Sequence, residues 1–231
     1  DLIAYYFPEC EGINMDATVT SILHKSQEEL EMLARKKVKH LYLGIESGLD
    51  DVLKFMKKDH DLAQAYQAID RLHEAGLIYD AHIMTGVAGK GRGMENAEAL
   101  AQFLNRTNPA HVVNFSMFLH KEVPLYQDIR QGTFAPADEL ETIREEYHLI
   151  ERIAPEKAGA NILYDGFHDF IHVRVRGHLP GDKEKMLAKL NGIIQEYEGK
   201  EPVYSFVQGE CPDLEYCDDG KAVWDMDRKT S

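Results

Sequence analysis

The sequence predicts an α/β fold, a parallel sheet of about four strands with outer helices, and three observations carry that reading. Short apolar runs alternate with segments of helical periodicity through residues 1–153. The links between them are short, which favours consecutive parallel strands joined by right-handed crossovers. One run, Leu41-Tyr42-Leu43-Gly44-Ile45, is apolar almost throughout, as a strand covered on both faces must be, and breaks off at Glu46-Ser47-Gly48. About four strands are too few to close a barrel of eight, so the sheet should be an open arc or part of a larger (β/α) barrel.

Asp1 to Phe7 reads as the last turns of a helix stopped by Pro8, which cannot continue it. Ile13 to Val19 follows as a strand, with Asn14, Asp16 and Thr18 on one side of the alternation. Ser26 and Glu29 form a capping-box pair that opens a helix through Leu30, Leu33 and Ala34 to about Lys37. After the strand Leu41 to Gly48 come a short helix around Val52, Leu53 and Phe55 and a longer one from about Leu62 to Ala75. Gly76 closes the longer helix as a left-handed C-cap residue. Ile78 to Thr85 is a strand, Gly86 to Gly93 a glycine-rich loop, and about Glu95 to Arg106 a helix that ends before Asn108-Pro109. His111 to Phe118 is a further strand, and Ala137 to Ile153 a helix with Leu140, Ile143, Tyr147 and Ile150 at helical spacing.

Beyond this unit, residues 154–198 read as an extension with a strand and a helix, and residues 199–231 as an acidic tail. In the extension, Phe167, Ile171, Val173 and Val175 alternate with Arg174 and Arg176, as in one strand lying on the core. In the tail, Pro202 to Val207 has strand character, Glu210 to Asp219 is acidic and turn-rich, and Trp224 would pin the segment to the domain.

The formal charge is -14, from 40 acidic and 26 basic residues, a field that repels phosphate backbones and anionic lipid surfaces. It argues against nucleic acid as a partner. No apolar run approaches the roughly 20 residues of a membrane span, so a membrane is excluded as well. The three cysteines, Cys10, Cys211 and Cys217, are an odd and sparse set that fits a reducing compartment, and the expected location is the cytoplasm. Cys211 and Cys217 lie farther apart than the pairs zinc and iron-sulfur sites use, and no metal ligand is assigned. His168, His172 and His178 with Asp169 could be read as a metal cluster, but the strand pattern around them favours packing on the core.

The glycine-rich loop with Lys90 and Arg92 invites a phosphate reading, since exposed amides cradle anions. It lacks Gly-Lys-Ser/Thr and the Rossmann spacing, and reads more simply as a mobile loop over the barrel mouth.

The segments, in this order, resemble the later half of the radical S-adenosylmethionine (radical SAM) superfamily, and within it the coproporphyrinogen-oxidase-like iron-sulfur oxidoreductase branch. The resemblance rests on Asp16-Ala17 to Leu30, Leu41 to Gly48 with Asp51-Val52-Leu53, His73-Glu74-Ala75-Gly76, Gly86 to Gly91, Asn105 to Pro109, Val123-Pro124-Leu125-Tyr126, and Gly177 to Lys183. It runs to about residue 198.

The resemblance implies a partial radical SAM (β/α) barrel that uses S-adenosylmethionine and a 4Fe-4S cluster in the intact protein. The intact enzyme would reductively cleave S-adenosylmethionine to begin radical chemistry on an unknown small molecule. The family's C-x3-C-x2-C loop, whose thiolates hold the cluster, is absent from this chain. The chain therefore reads as the C-terminal part of a longer enzyme, inactive alone, whose partner is the missing N-terminal barrel half.

By position, the resemblance places Glu46 and Ser47 at the cofactor ribose, where a carboxylate suits a diol. It places Gly86 at the adenine, with close backbone approach, and Met117 and Phe118 at the adenine edge. Thr18, with Thr20, falls where side chains face the methionine moiety. Catalytic residues are not assigned. Two other classes stay open: a divalent-metal TIM-type lyase or hydrolase using Asp16, Glu46 and His82, and a non-catalytic half-barrel binding or scaffold module.

Overall fold

The computed structural model describes residues 2–206 together with 215–216 and 222–223. After a short helix α1 (Leu2–Tyr6), the chain builds β1 (Ile13–Ala17), α2 (Val19–Leu23), α3 (Gln27–Arg35), β2 (Val38–Glu46), α4 (Asp50–Phe55), α5 (Leu62–Glu74) and β3 (Ile78–Thr85). It continues with α6 (Gly93–Thr107), β4 (His111–Ser116), α7 (Pro124–Arg130), α8 (Glu139–Arg152), β5 (Ile162–His168), β6 (Val173–Leu179) and α9 (Lys183–Tyr197). A six-stranded sheet runs in the order β1-β2-β3-β4-β5-β6. β1 to β5 are parallel, β6 is antiparallel to β5, and the sheet is open between β1 and β6.

The parallel strands number five rather than about four, because β5, expected in an extension, pairs directly with β4. The single strand expected from Phe167 to Val175 is a hairpin. It folds back through a 3-10 turn at Asp169–Ile171, with His172 in the left-handed region at φ 54, so that Phe167 pairs with Arg174. β1 stops at Ala17, short of the expected Val19, because Thr18 caps α2: its hydroxyl accepts the Ser21 N–H at 3.0 Å. The Ser26 and Glu29 box opens α3 as expected, and Gly76 follows α5 at φ 74. Of the expected Pro202 to Val207 strand, the described residues, up to Phe206, give an isolated bridge between Leu119 and Phe206, and Val207 lies outside the described residues. Cys211, Cys217, Trp224 and most of the Glu210 to Asp219 stretch lie outside the described residues.

Alternation along the strands divides the molecule into two faces. Leu41, Leu43, Ile45, Tyr79, Ala81, Ile83, Val112 and Tyr164 point outward into a core completed by Leu30, Ala65, Ile69 and Leu72 of α3 and α5 and Leu100 and Leu104 of α6. A second apolar cluster at the C-terminal end of the sheet joins Val52, Val87, Met117, Leu119, Tyr126 and Phe206. No helix among the described residues is long and apolar enough to cross a membrane.

Candidate functional site

The face opposite the helices is concave to the barrel that the sheet begins, and its side chains are polar and aromatic. Tyr42, His82, Phe115 and Phe167 form a ladder across four strands, with ring centroids 5.1, 5.9 and 5.7 Å apart in succession. The last two rings are stacked, and the Arg174 guanidinium lies 4.7 Å over Phe167. Asp165 fixes that guanidinium in a bidentate pair, at 2.8 and 2.6 Å, and Arg176 stands 3.6 Å from the same carboxylate. Phe115 remains 37% exposed, so the ladder offers ring surface to a ligand.

Toward the N-terminal ends of the strands, this face is closed by hydrogen-bonded pairs. His40 Nδ1 lies 2.6 Å from Asp80 Oδ2, and the Tyr42 hydroxyl 3.0 Å from His111 Nδ1. Burial pushes the Asp80 carboxyl up against the lowering effect of His40, and pushes the His111 imidazole down.

At the C-terminal end, where ligands collect in parallel α/β sheets, Glu46 occupies the left-handed region at φ 62, and the β2-β3 register shifts between Gly44 and Glu46. Lys58, from the loop after α4, meets Glu46 Oε1 at 3.2 Å. A Cβ on Gly44 would stand 2.8 Å from that oxygen and 3.3 Å from the Lys58 ammonium, so the pair lies directly over the glycine. Nothing in the local sequence marked Lys58, which reaches Glu46 only through the fold of the loop.

The other expected contacts have different commitments. Ser47 is fully buried on the helix side and donates its hydroxyl to Asn96 Oδ1 at 2.6 Å instead of presenting it to the concave face. Gly86 gives its N–H to Glu145 Oε2 at 2.8 Å, and a Cβ there would meet Thr142 Cγ2 at 2.7 Å; the close approach it permits is that of α8. Thr18 caps α2, and Thr20 donates to the Asp59 carbonyl at 3.1 Å. Met117 packs into the second apolar cluster and gives its N–H to the Thr85 carbonyl at 2.9 Å, whereas Phe118 is 56% exposed. Glu46 is half-buried and Phe118 exposed, while Thr18, also exposed, has its hydroxyl engaged in the cap of α2.

Behind the sheet, α8 buries three glutamates. His168 is held between Glu139 Oε2 at 3.1 Å and Glu146 Oε2 at 3.0 Å, while Asn114 and the Tyr164 hydroxyl donate to Glu146 Oε1. Burial by itself would lower the His168 pKa, but the Glu146 and Glu139 carboxylates raise it to about 10. This imidazolium is an internal counter-ion rather than part of the metal cluster considered with His172 and His178.

A 4Fe-4S cluster needs soft thiolate ligands. Among the described residues the one cysteine is Cys10, on the segment before β1 with its Sγ 3.2 Å from the Gly12 carbonyl, and no group of histidine, cysteine or acidic side chains is placed to hold a metal. These residues do not fit the cluster. Asp16, Glu46 and His82 likewise form no such group.

Residues 3–104 match the family model described as the radical SAM superfamily. This region belongs to the radical SAM superfamily. A curated relative, the tRNA uridine(34) acetyltransferase of Methanocaldococcus infernus, is 25% identical over 119 residues, which is 51% of this chain and 22% of that protein. Among solved structures, the archaeal Methanocaldococcus infernus Elp3 with an N-terminal deletion superposes with a TM-score of 0.59 at 17% identity, over 81% of this chain and 42% of that one. The chain thus spans less than half of each of these relatives, and the structural likeness establishes a shared partial barrel. The expected coproporphyrinogen-oxidase-like branch finds no support in them, since both are Elp3-type proteins.

Proposed function

We propose that this radical SAM chain forms one wall of a barrel, binding the adenosyl part of S-adenosylmethionine at Glu46, Lys58 and Gly44 and a planar substrate along the ladder from Tyr42 to Phe167. The observation that carries the reading is the Glu46–Lys58 pair set over Gly44 at the C-terminal end of the concave face. A carboxylate accepts hydrogen bonds from two neighbouring hydroxyls, as a ribose offers them, and a glycine beneath leaves room for the sugar. Phe118 stands exposed two residues past β4 as an apolar edge for the adenine. Thiolates beyond the described residues would hold the cluster, and the chain alone would not turn over.

A nucleotide is the second reading for the substrate, favoured by stacked rings flanked by Arg174 and Arg176, since bases stack on exposed aromatic rings and arginines. The relative that modifies tRNA is consistent with it. A net charge of -14 then requires that recognition be local to this face.

Calorimetry of the wild-type chain with S-adenosylhomocysteine tests the cofactor part. Saturable binding is expected, weakened about tenfold or more in Glu46→Ala, the scale of a charge-assisted hydrogen bond lost from a site. Absence of binding, or equal binding by the variant, would leave a scaffold module as the better description. Chemical-shift changes of uridine monophosphate in the presence of the wild-type chain, absent with Phe115→Ala, would support the nucleotide reading.

A further inference from the structure

We propose that Glu145 is a positioning residue that ties the two strand ends of the concave site, Glu46-Ser47-Gly48 and Thr85-Gly86, to one buried carboxylate, so that both keep or lose their geometry together. The cofactor part of this inference rests on the function proposed above; the structural part does not.

Two of the hydrogen-bond donors involved are backbone groups whose polarity cannot change. Gly48 N–H points at Asn96 Oδ1 at 3.2 Å, and Gly86 N–H at Glu145 Oε2 at 2.8 Å. Ser47 also donates to Asn96 Oδ1, and its oxygen accepts the Leu49 N–H at 3.1 Å. With the Asn96 oxygen so engaged, its amino group faces Glu145 Oε1 at 2.7 Å. Both oxygens of Glu145 therefore meet donors, and the ionised carboxylate accepts from them more strongly than the acid does. A proton on either oxygen would weaken the bond that oxygen accepts and add a buried O–H donor that needs a partner of its own.

The surroundings make that proton available near neutrality. Burial raises the Glu145 carboxyl to about 7 against the lowering effects of Asn96 and Gly86, with Glu141 of the same helix raising it further and His168 of β5 lowering it. His168 is itself engaged by Glu139 and Glu146, while α6 presents Asn96 here without a charge. Ser47, Asn96 and Glu145 are all buried, so water cannot replace a lost partner without opening the packing.

The link to the site runs through Glu46. Its left-handed backbone turns its carboxylate inward over Gly44, while the next two residues are held outward by Asn96. Releasing that anchor frees the turn. Gly86, at φ 82, is anchored in the same way after Met84 and Thr85 of β3.

Amide NMR of the wild-type chain from about pH 5.5 to about pH 8.5 spans the proton's transition. The Gly48 and Gly86 amide resonances should move with one midpoint near 7, and in Glu145→Gln neither should titrate. Two separate midpoints, or no titration of either amide in the wild type, would overturn the clamp even if the variant failed to fold. In parallel, S-adenosylhomocysteine affinity should fall about tenfold below the midpoint, within the usual range for coupled sites, and lose its pH dependence in Glu145→Gln. Common titration without any ligand binding would uphold the clamp and defeat the cofactor reading; ligand binding that depends on Glu46 without common titration would do the reverse.

Discussion

Gly44 and Glu46 illustrate how a residue's smallness and its neighbour's strain make one feature. Glu46 at φ 62 is an uncommon conformation for a side chain bearing a Cβ, and it persists because Ser47 and Gly48 are bonded to Asn96 behind it. In Gly44→Ala the new methyl would press on the flexible ends of Glu46 and Lys58, both of which can shift. Stability should change by less than about 1 kcal/mol, as for surface adjustments, while S-adenosylhomocysteine affinity falls about tenfold. Thermal melting and calorimetry on one sample separate the two effects; a large loss of stability with intact affinity would show that the glycine serves folding alone.

His168 is the residue through which pH should act most broadly on stability. Its folded pKa of about 10 exceeds the ordinary imidazole value of 6.5, so its stabilisation is fully present below about 6.5 and is lost as pH rises through about 10. Glu145, raised to about 7 from an ordinary 4.5, acts in the same sense over a lower window, since the folded state binds the proton more tightly there. Urea midpoints should decline from about pH 4.5 to about pH 10 in the wild type, Glu145 acting over the lower part and His168 over the upper. His168→Gln should flatten that upper decline and cost about 3–5 kcal/mol at neutral pH, because two buried carboxylates lose their counter-ion.

At the level of elements, the strands and long helices were readable because each carries a local signal. The Leu41 to Ile45 run, the Ser26 and Glu29 box and Gly76 are such signals, and all three sit where the sequence placed them. The short helices α2 and α7 were not readable from periodicity, having five and seven residues. At Thr18 the alternation pointed to a longer strand, and capping of Ser21 prevailed. Gly86 was legible as a close approach, but to a cofactor rather than to α8, and the approach of α6 to Gly48 was not legible, because these partners arrive from 48 and 59 residues away. Gly48 shows the consequence: a Cβ there would overlap the backbone of Ala99 and Leu100, which cannot rotate away. Gly48→Ala should therefore part β2 from α6 and lower stability by about 2 kcal/mol or more, as overpacking does. Gly76→Ala, with φ 74 and open space around it, should cost only about 1 kcal/mol, the penalty of the left-handed conformation. Equal losses in chemical denaturation would contradict this account of the two glycines.

For the whole molecule, the open sheet and the concave face belong together. The ladder unites residues 42, 82, 115 and 167 through the parallel register of β2 to β5, and the alternation in the sequence set Phe167 on the core side with Val175, because the hairpin turn at Asp169–Ile171 that puts it opposite Arg174 was not legible. The same register fixes what the wall lacks. Cys10 precedes β1, at the N-terminal end of the strands, whereas Glu46 stands at the C-terminal end. Five residues of strand span roughly 16 Å, too far for a thiolate at Cys10 to share a cluster with a cofactor at Glu46. Anaerobic treatment of the chain with iron and sulfide should accordingly leave, after desalting, no stable visible chromophore and much less iron than one cluster per chain. Iron analysis of the wild type beside a Cys10→Ser, Cys211→Ser, Cys217→Ser triple variant decides the point. Stoichiometric iron that disappears in the triple variant would mean that the three thiols come together, and that this chain holds more of the radical SAM centre than one wall.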